Sequence, residues 1–150
     1  MNKCVIPGTF DPIHDGHFNI IMRASKIFDS VIVAVAKSDE KHPQHSLDER
    51  LALAKEKCSA ISNVDVVSFD GLLVDFVKTQ NADCVVKGIR NEKDFEYEAN
   101  MDAANKKLSD EFETLYLISD PKLKELSSTQ VRELEKLGIN PDSLTKNIDK

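Results

Sequence analysis

The stretch Pro7-Gly8-Thr9-Phe10-Asp11-Pro12-Ile13-His14-Asp15-Gly16-His17 gathers residue types that suit a phosphate group. Gly8 and Gly16 let a backbone approach a ligand closely, and Pro7 and Pro12 stiffen the turn. His17 falls where a first helix should begin. Free N–H groups and the helix dipole favour an anion there, and an imidazole can donate to its oxygens. The stretch has neither the G-x-G-x-x-G nor the G-x-x-x-x-G-K-[ST] pattern, which excludes a dinucleotide fingerprint and a P-loop. His14-x-x-His17 also has the spacing of a metal pair, but zinc would need a third ligand. His42-x-x-His45 repeats that spacing, and Cys4, Cys58 and Cys84 are scattered, so no ligand set assembles. The expectation is a site without a protein-held metal.

A second group, Ser127-Ser128-Thr129-Gln130, lies just ahead of Arg132. It reads as a helix N-cap with Gln130 as the reciprocal partner of Ser127, and hydroxyls at a helix start are phosphate donors as well. Lys41, Lys87 and Arg90 are cations available to the same anion, whereas Asp94, Glu96 and Glu98 read as an acidic helix face.

Elements must bring these groups together. Short, nearly continuous apolar runs predict strands at 3–6, 30–36, 64–69, 83–87 and 114–118, as expected for strands covered on both faces. Between them Ile20, Ile21, Ala24, Ile27 and Phe28 recur at helical spacing, as do Leu47, Leu51, Ala54 and Cys58 behind a Ser46–Glu49 capping box. Leu72, Leu73, Phe76 and Val77 make a shorter stripe, a polar helix spans Glu92 to Leu108, and another begins near Ser128. Strand–helix alternation implies right-handed βαβ units and an α/β doubly wound, five-stranded parallel sheet, for which the expected order is 3-2-1-4-5. Such sheets bind ligands beyond the carboxyl ends of their strands. The expected ligand loops are therefore 7–17, 37–45, 69–73, 87–94 and 119–129, with Lys87 and Arg90 closing the fourth strand at the reversal point.

Composition narrows the rest. A chain of 150 residues, 41% hydrophobic and 31% charged, suits one domain over 1–150 with a real core. A net charge of −6 gives no global field for nucleic acid or anionic membrane. The longest apolar run, Val31 to Ala36, is six residues, against about 20 for a membrane span. Cys4, Val5 and Ile6 are too short for a signal-peptide core, so the expectation is a soluble cytoplasmic protein. The odd cysteine count points to small buried hydrophobes rather than disulfides.

Taken together, Gly8–Pro12 with His14-Asp15-Gly16-His17 resembles the signature of nucleotidyltransferases related to class I aminoacyl-tRNA synthetases. Leu126-Ser127-Ser128-Thr129-Gln130-Val131-Arg132 resembles their second signature. Ser46-Leu47-Asp48-Glu49-Arg50, Lys87-Gly88-Ile89-Arg90 and Asp94-Phe95-Glu96-Tyr97-Glu98 narrow the likeness to the bacterial phosphopantetheine adenylyltransferase family, at matching spacings from about residue 3 to 133. The resemblance implies a Rossmann-like fold and reversible adenylyl transfer from ATP to 4′-phosphopantetheine, with Mg2+ carried by ATP. It also suggests a homohexamer.

It implies His17 as transition-state stabiliser and Lys41 as its catalytic companion. Thr9, Lys41, Leu73 and Lys87 would meet the substrate, with Met101 and Asn105 beside the pantetheine arm. ATP would be held by Thr9, Phe10, His17, Gly88, Ile89, Arg90, Glu98, Leu123, Lys124, Glu125, Leu126, Ser127, Ser128 and Thr129. The sequence departs from the family at Lys87, where Arg is usual; at 122–126, where aromatics are usual; and after Gly138. A cytidylyltransferase acting on an alcohol phosphate would share the His-x-Gly-His element but lack the Lys87–Arg90 and Phe95–Glu98 blocks. A non-catalytic nucleotide sensor would not need His14, His17 and Arg132 together.

Overall fold

The computed structural model describes residues 1–37, 43–120 and 128–138, and for 128–130 the backbone alone. Strands and helices alternate as β1 (Lys3–Gly8), α1 (Asp15–Ile27), β2 (Ser30–Ala36), α2 (Leu47–Cys58), β3 (Val64–Phe69), α3 (Leu73–Thr79), β4 (Cys84–Ile89), α4 (Glu92–Leu108), β5 (Thr114–Ile118) and α5 (Ser128–Lys136). All pairings are parallel, and the five-stranded sheet runs β3-β2-β1-β4-β5. This is the expected Rossmann-like order.

Strand alternation sorts side chains between two cores. Cys4, Ile6, Val31, Val33, Val35, Val64, Cys84 and Val86 pack with Ile20, Ile21 and Ala24 of α1 and Ala54 and Cys58 of α2. Val5, Ile32, Ala34 and Val85 pack with Val74 and Val77 of α3 and with Phe112. All three cysteines are free and buried, and burial pushes the Cys4 thiol up to about 12 and the Cys84 thiol up to about 11. They pack as hydrophobes. No residue of α4 is buried, which suits its polar sequence. No helix among the described residues is long and apolar enough to cross a membrane.

Three boundaries differ from expectation. β1 continues to Gly8 because Pro7 and Gly8 still pair with Ala34 and Val35. β4 starts at Cys84, since Asp83 turns its carboxylate to accept from the Lys3 N–H at 2.8 Å. It runs on to Ile89, paired with Ile118, so Lys87 and Gly88 lie inside the strand and do not end it. On the helices, Ile27 is 60% exposed and Leu72, at the N-cap of α3, is 56% exposed, so neither belongs to a core stripe.

The pairing pattern opens the crevice. β1 and β2 share six register pairs and β4 and β5 share five, but β1 and β4 share only Cys4↔Cys84 and Val5↔Val85. Beyond Val5 the two central strands part, at the point where the strand order reverses. Gly88 lets α1 close over β4, because a Cβ there would stand 2.8 Å from Ile20 Cγ1.

Arg50 of α2 braces the strand ends. It is 2% exposed. Its Nη1 donates to the carbonyls of Thr9 at 2.9 Å and Ala36 at 2.7 Å, Nη2 to Lys37 at 3.1 Å, and Nε to His45 at 3.1 Å. One planar fork thus joins the exits of β1 and β2 to the start of α2. Arg50→Met fills similar space but leaves these buried carbonyls without their donors, at about 1–3 kcal/mol for each group that water cannot reach. A clear drop in the urea midpoint at unchanged slope is expected; an unchanged midpoint would show the fork to be dispensable.

Candidate active site

The first helix begins with two histidines that cap each other. His14 is the N-cap of α1, and its Nδ1 accepts from the Gly16 N–H at 3.0 Å and the His17 N–H at 3.3 Å. In return His17 Nδ1 accepts from the His14 N–H at 3.1 Å. The rings stack with centroids 3.7 Å apart. Gly16 leaves room for this, since a Cβ there would meet His14 Cε1 at 2.8 Å.

An Nδ1 that accepts a backbone N–H carries no proton, so in both neutral rings the proton sits on Nε2. Burial, reinforced by the Arg90 charge, lowers His14 to about 4. Burial, then His14, Arg90 and Lys57, holds His17 well below the ordinary histidine range. The site therefore presents His17, a half-buried residue, as a neutral Nε2–H donor. This corrects one expectation: the N–H groups of Gly16 and His17 are not free for an anion, because His14 takes them. What α1 offers is its dipole and the His17 ring.

Phe10 supports that ring from the side, edge-on with centroids 4.8 Å apart. It is 3% exposed and holds a positive φ of 48°, its ring packed so close to Gly8 that a Cβ there would meet it at 2.9 Å. Thr9 is half-buried, its carbonyl held by Arg50.

Asp11 knots the surrounding segments together. It is 4% exposed; Oδ2 accepts from the Gln44 N–H at 2.8 Å, and Oδ1 from the His45 N–H at 2.9 Å and faces His45 Nδ1 at 2.8 Å. Arg132, from the second signature, donates through Nη1 to the Asp11 carbonyl at 2.6 Å and lies 3.5 Å from Oδ2. His45 Nε2 also lies 3.4 Å from Glu135 of α5. Burial pushes the Asp11 carboxyl up, but hydrogen bonds from His45 and Gln44 and the Arg132 charge outweigh it, and the net shift is downward.

Across the crevice, Lys87 does not stand alone. Its Nζ lies 2.7 Å from Glu98 Oε2 and 3.2 Å from Asp102 Oδ1, both on α4. Gly88 and Ile89 follow in the strand, and the Ile89 carbonyl accepts from the Ser119 N–H at 2.9 Å. The Arg90 backbone N–H and Nε both reach Asp94 Oδ2, at 3.2 and 3.1 Å, while Asn91 caps α4 by accepting from the Asp94 N–H at 2.9 Å. Leu73 opens α3, half-buried. Among the described residues no three His, Cys, Asp or Glu group for a metal.

Lys41 and the run Leu123, Lys124, Glu125, Leu126 and Ser127 lie outside the described residues, and Ser128 and Thr129 are described only as backbone opening α5. The structure adds Arg50, Asp102 and Glu135, to which sequence reasoning had given no role at the site, and gives Asp11 and His45, which stand in the expected loops 7–17 and 37–45, a bracing role. Arg50 belongs to the Ser46–Arg50 block, so a signal was present. The others are joined by contacts between distant segments, such as Arg132 with Asp11, 121 positions apart.

Comparison with known proteins places this geometry in a family. The cytidylyltransferase-like family matches residues 5–134. The phosphopantetheine adenylyltransferase of Campylobacter hominis is 48% identical over 136 residues, covering 91% of this chain and 86% of that one. Its counterpart from Tolumonas auensis is 48% identical over 132 residues, covering 88% and 80%. A putative nicotinate-nucleotide adenylyltransferase of Vibrio parahaemolyticus superposes with a TM-score of 0.67 at 18% identity, over 98% of this chain and 93% of that one. That last likeness speaks for the fold alone. The sequence matches go further: the chain is a nucleotidyltransferase and belongs to the phosphopantetheine adenylyltransferase family.

Proposed function

We propose that the protein transfers the adenylyl group of ATP to 4′-phosphopantetheine, reversibly, giving dephospho-coenzyme A and pyrophosphate. A phosphate oxygen of the substrate attacks the α-phosphorus in line, and the bond from that phosphorus to the pyrophosphate oxygen breaks. No enzyme nucleophile takes part. Catalysis is then positioning plus stabilisation of charge on the α-phosphate. The observation that carries this reading is His17, a neutral ring locked by its own helix cap with its Nε2–H left to donate beside the parting of β1 and β4.

In this reading Thr9, Lys41 and Lys87 orient the incoming phosphate and Leu73 lines the pantetheine arm. ATP is held by Thr9, Phe10, His17, Gly88, Ile89, Arg90, Glu98 and the run 123–129. Magnesium arrives with ATP, since Mg2+ is usually bound through substrate phosphates. Its charge would offset that of the leaving pyrophosphate. We further place the enzyme in the cytoplasm as a homohexamer, in keeping with its family; Phe95, Tyr97 and Met101 of α4 and Ile118 of β5 are exposed apolar groups suited to assembly.

Two expectations follow. His17→Ala removes a donor that matters most in the transition state, so turnover should fall about 100-fold or more while the KM for ATP moves little. Near-normal turnover in a pyrophosphate-release assay would remove His17 from the mechanism.

The second concerns acid. An unfolded histidine takes up its proton near pH 6.5, whereas folded His14 resists protonation down to about 4. Its contribution is present above pH 6.5 and is lost as pH falls toward 4, about 2 kcal/mol between pH 7 and 5. His14→Asn keeps a capping acceptor without titrating, so urea unfolding should show a smaller acid loss in that variant than in the parent protein. Equal losses would contradict the buried neutral cap.

A further inference from the structure

Lys87 is already engaged before any substrate arrives. Its side chain is 10% exposed, with Glu98 at 2.7 Å and Asp102 at 3.2 Å. An ammonium has three donors, and these two carboxylates face it together, so one proton remains for a ligand. One positive charge set against two negative ones makes the immediate surroundings of Lys87 net negative. That is an unfavourable place to bring a phosphate.

The two carboxylates are not equivalent. Glu98 makes the shorter contact and is the more exposed, at 25% against 16% for Asp102. Asp102 Oδ1 reaches Lys87, but Asp102 Oδ2 is buried and has no hydrogen-bond partner among the described residues. Lys87 is thus the cation that offsets this poorly satisfied group. A phosphate that drew Lys87 away would leave a largely desolvated carboxylate uncompensated, which is costly. A phosphate that shared Lys87 would sit close to a like charge. Either way Asp102 opposes the ligand.

We propose that Asp102 is an internal competitor for Lys87, a carboxylate that sets how weakly the substrate phosphate is held. The inference rests on the reading above that Lys87 meets the phosphate of 4′-phosphopantetheine. Asp102 acts through Lys87 and touches no reacting atom. Its consequence is unusual for a half-buried charged residue: removing it should tighten substrate binding, an effect that loss of structure does not produce.

The test uses the whole 150-residue chain carrying Asp102→Ala, Asp102→Asn or Lys87→Ala, with Michaelis constants measured for both substrates. Both Asp102 variants should lower the KM for 4′-phosphopantetheine about three- to tenfold, with KM for ATP unchanged and kcat retained. Asp102→Asn preserves shape, so it answers the question even if Asp102→Ala folds poorly. Lys87→Ala should raise the KM for 4′-phosphopantetheine and leave that for ATP unchanged. If it does so while both Asp102 variants leave that KM unchanged or raise it, the competitor role is overturned and the phosphate-site reading stands. If Lys87→Ala changes neither KM, Lys87 is not a phosphate ligand, and both readings fall.

Discussion

A single buried carboxylate gathers the chain around the crevice. Asp11 sits on the loop between β1 and α1, and on its own it would be a poor choice for a site 4% exposed. It is tolerated because its two oxygens accept from the Gln44 and His45 backbone and face the His45 ring, with the Arg132 guanidinium close by. Buried charge persists in proteins when paired and hydrogen-bonded in this way. The same bonds that make Asp11 affordable fix the approach to α2 and the start of α5 relative to the histidine-bearing helix. Removing any partner would loosen a junction of three segments, not one contact.

Beside that junction burial sets the state of the first helix's histidines. Burial of the His17 ring acts first, and the neighbouring His14, Arg90 and Lys57 add to its effect, which holds the ring neutral well below the ordinary histidine range. A neutral donor fixed by a helix cap needs no reorganisation when charge develops on a phosphate oxygen. A flexible cation would have to be ordered first. The stacking of His14 on His17 and the edge contact from Phe10 complete the fixing.

How much of this was legible in the sequence depends on contact range. Runs such as Ser30–Ala36 and Val64–Phe69 announce buried parallel strands by composition, and handedness with alternation gives a doubly wound sheet, whereas the strand order came with the family resemblance. The position of His17 at a helix start was legible too, because glycines and prolines punctuate the segment ahead of it. The reciprocal cap was less so: histidine is an unusual N-cap, and His14-x-x-His17 looks the same whether it binds metal or closes a helix. Arg50 stood in the Ser46–Arg50 block, but its bracing role shows only once β1 and β2 place their carbonyls around it. Asp102 gave no signal. Only the packing of α4 over β4 brings it to Lys87, fifteen positions away.

The central claim is the protonation state of His17, and nitrogen NMR of its imidazole reads that directly. In uniformly nitrogen-15-labelled protein, His17 should show a protonated Nε2 and an unprotonated, hydrogen-bonded Nδ1. Both shifts should stay constant as pH falls from 8 toward 5.5, where a solvent-exposed histidine is largely charged. A His17 that titrates near pH 6.5, or that carries its proton on Nδ1, would contradict the account: the cap would not exist in solution and the donor would not point where the reaction needs it.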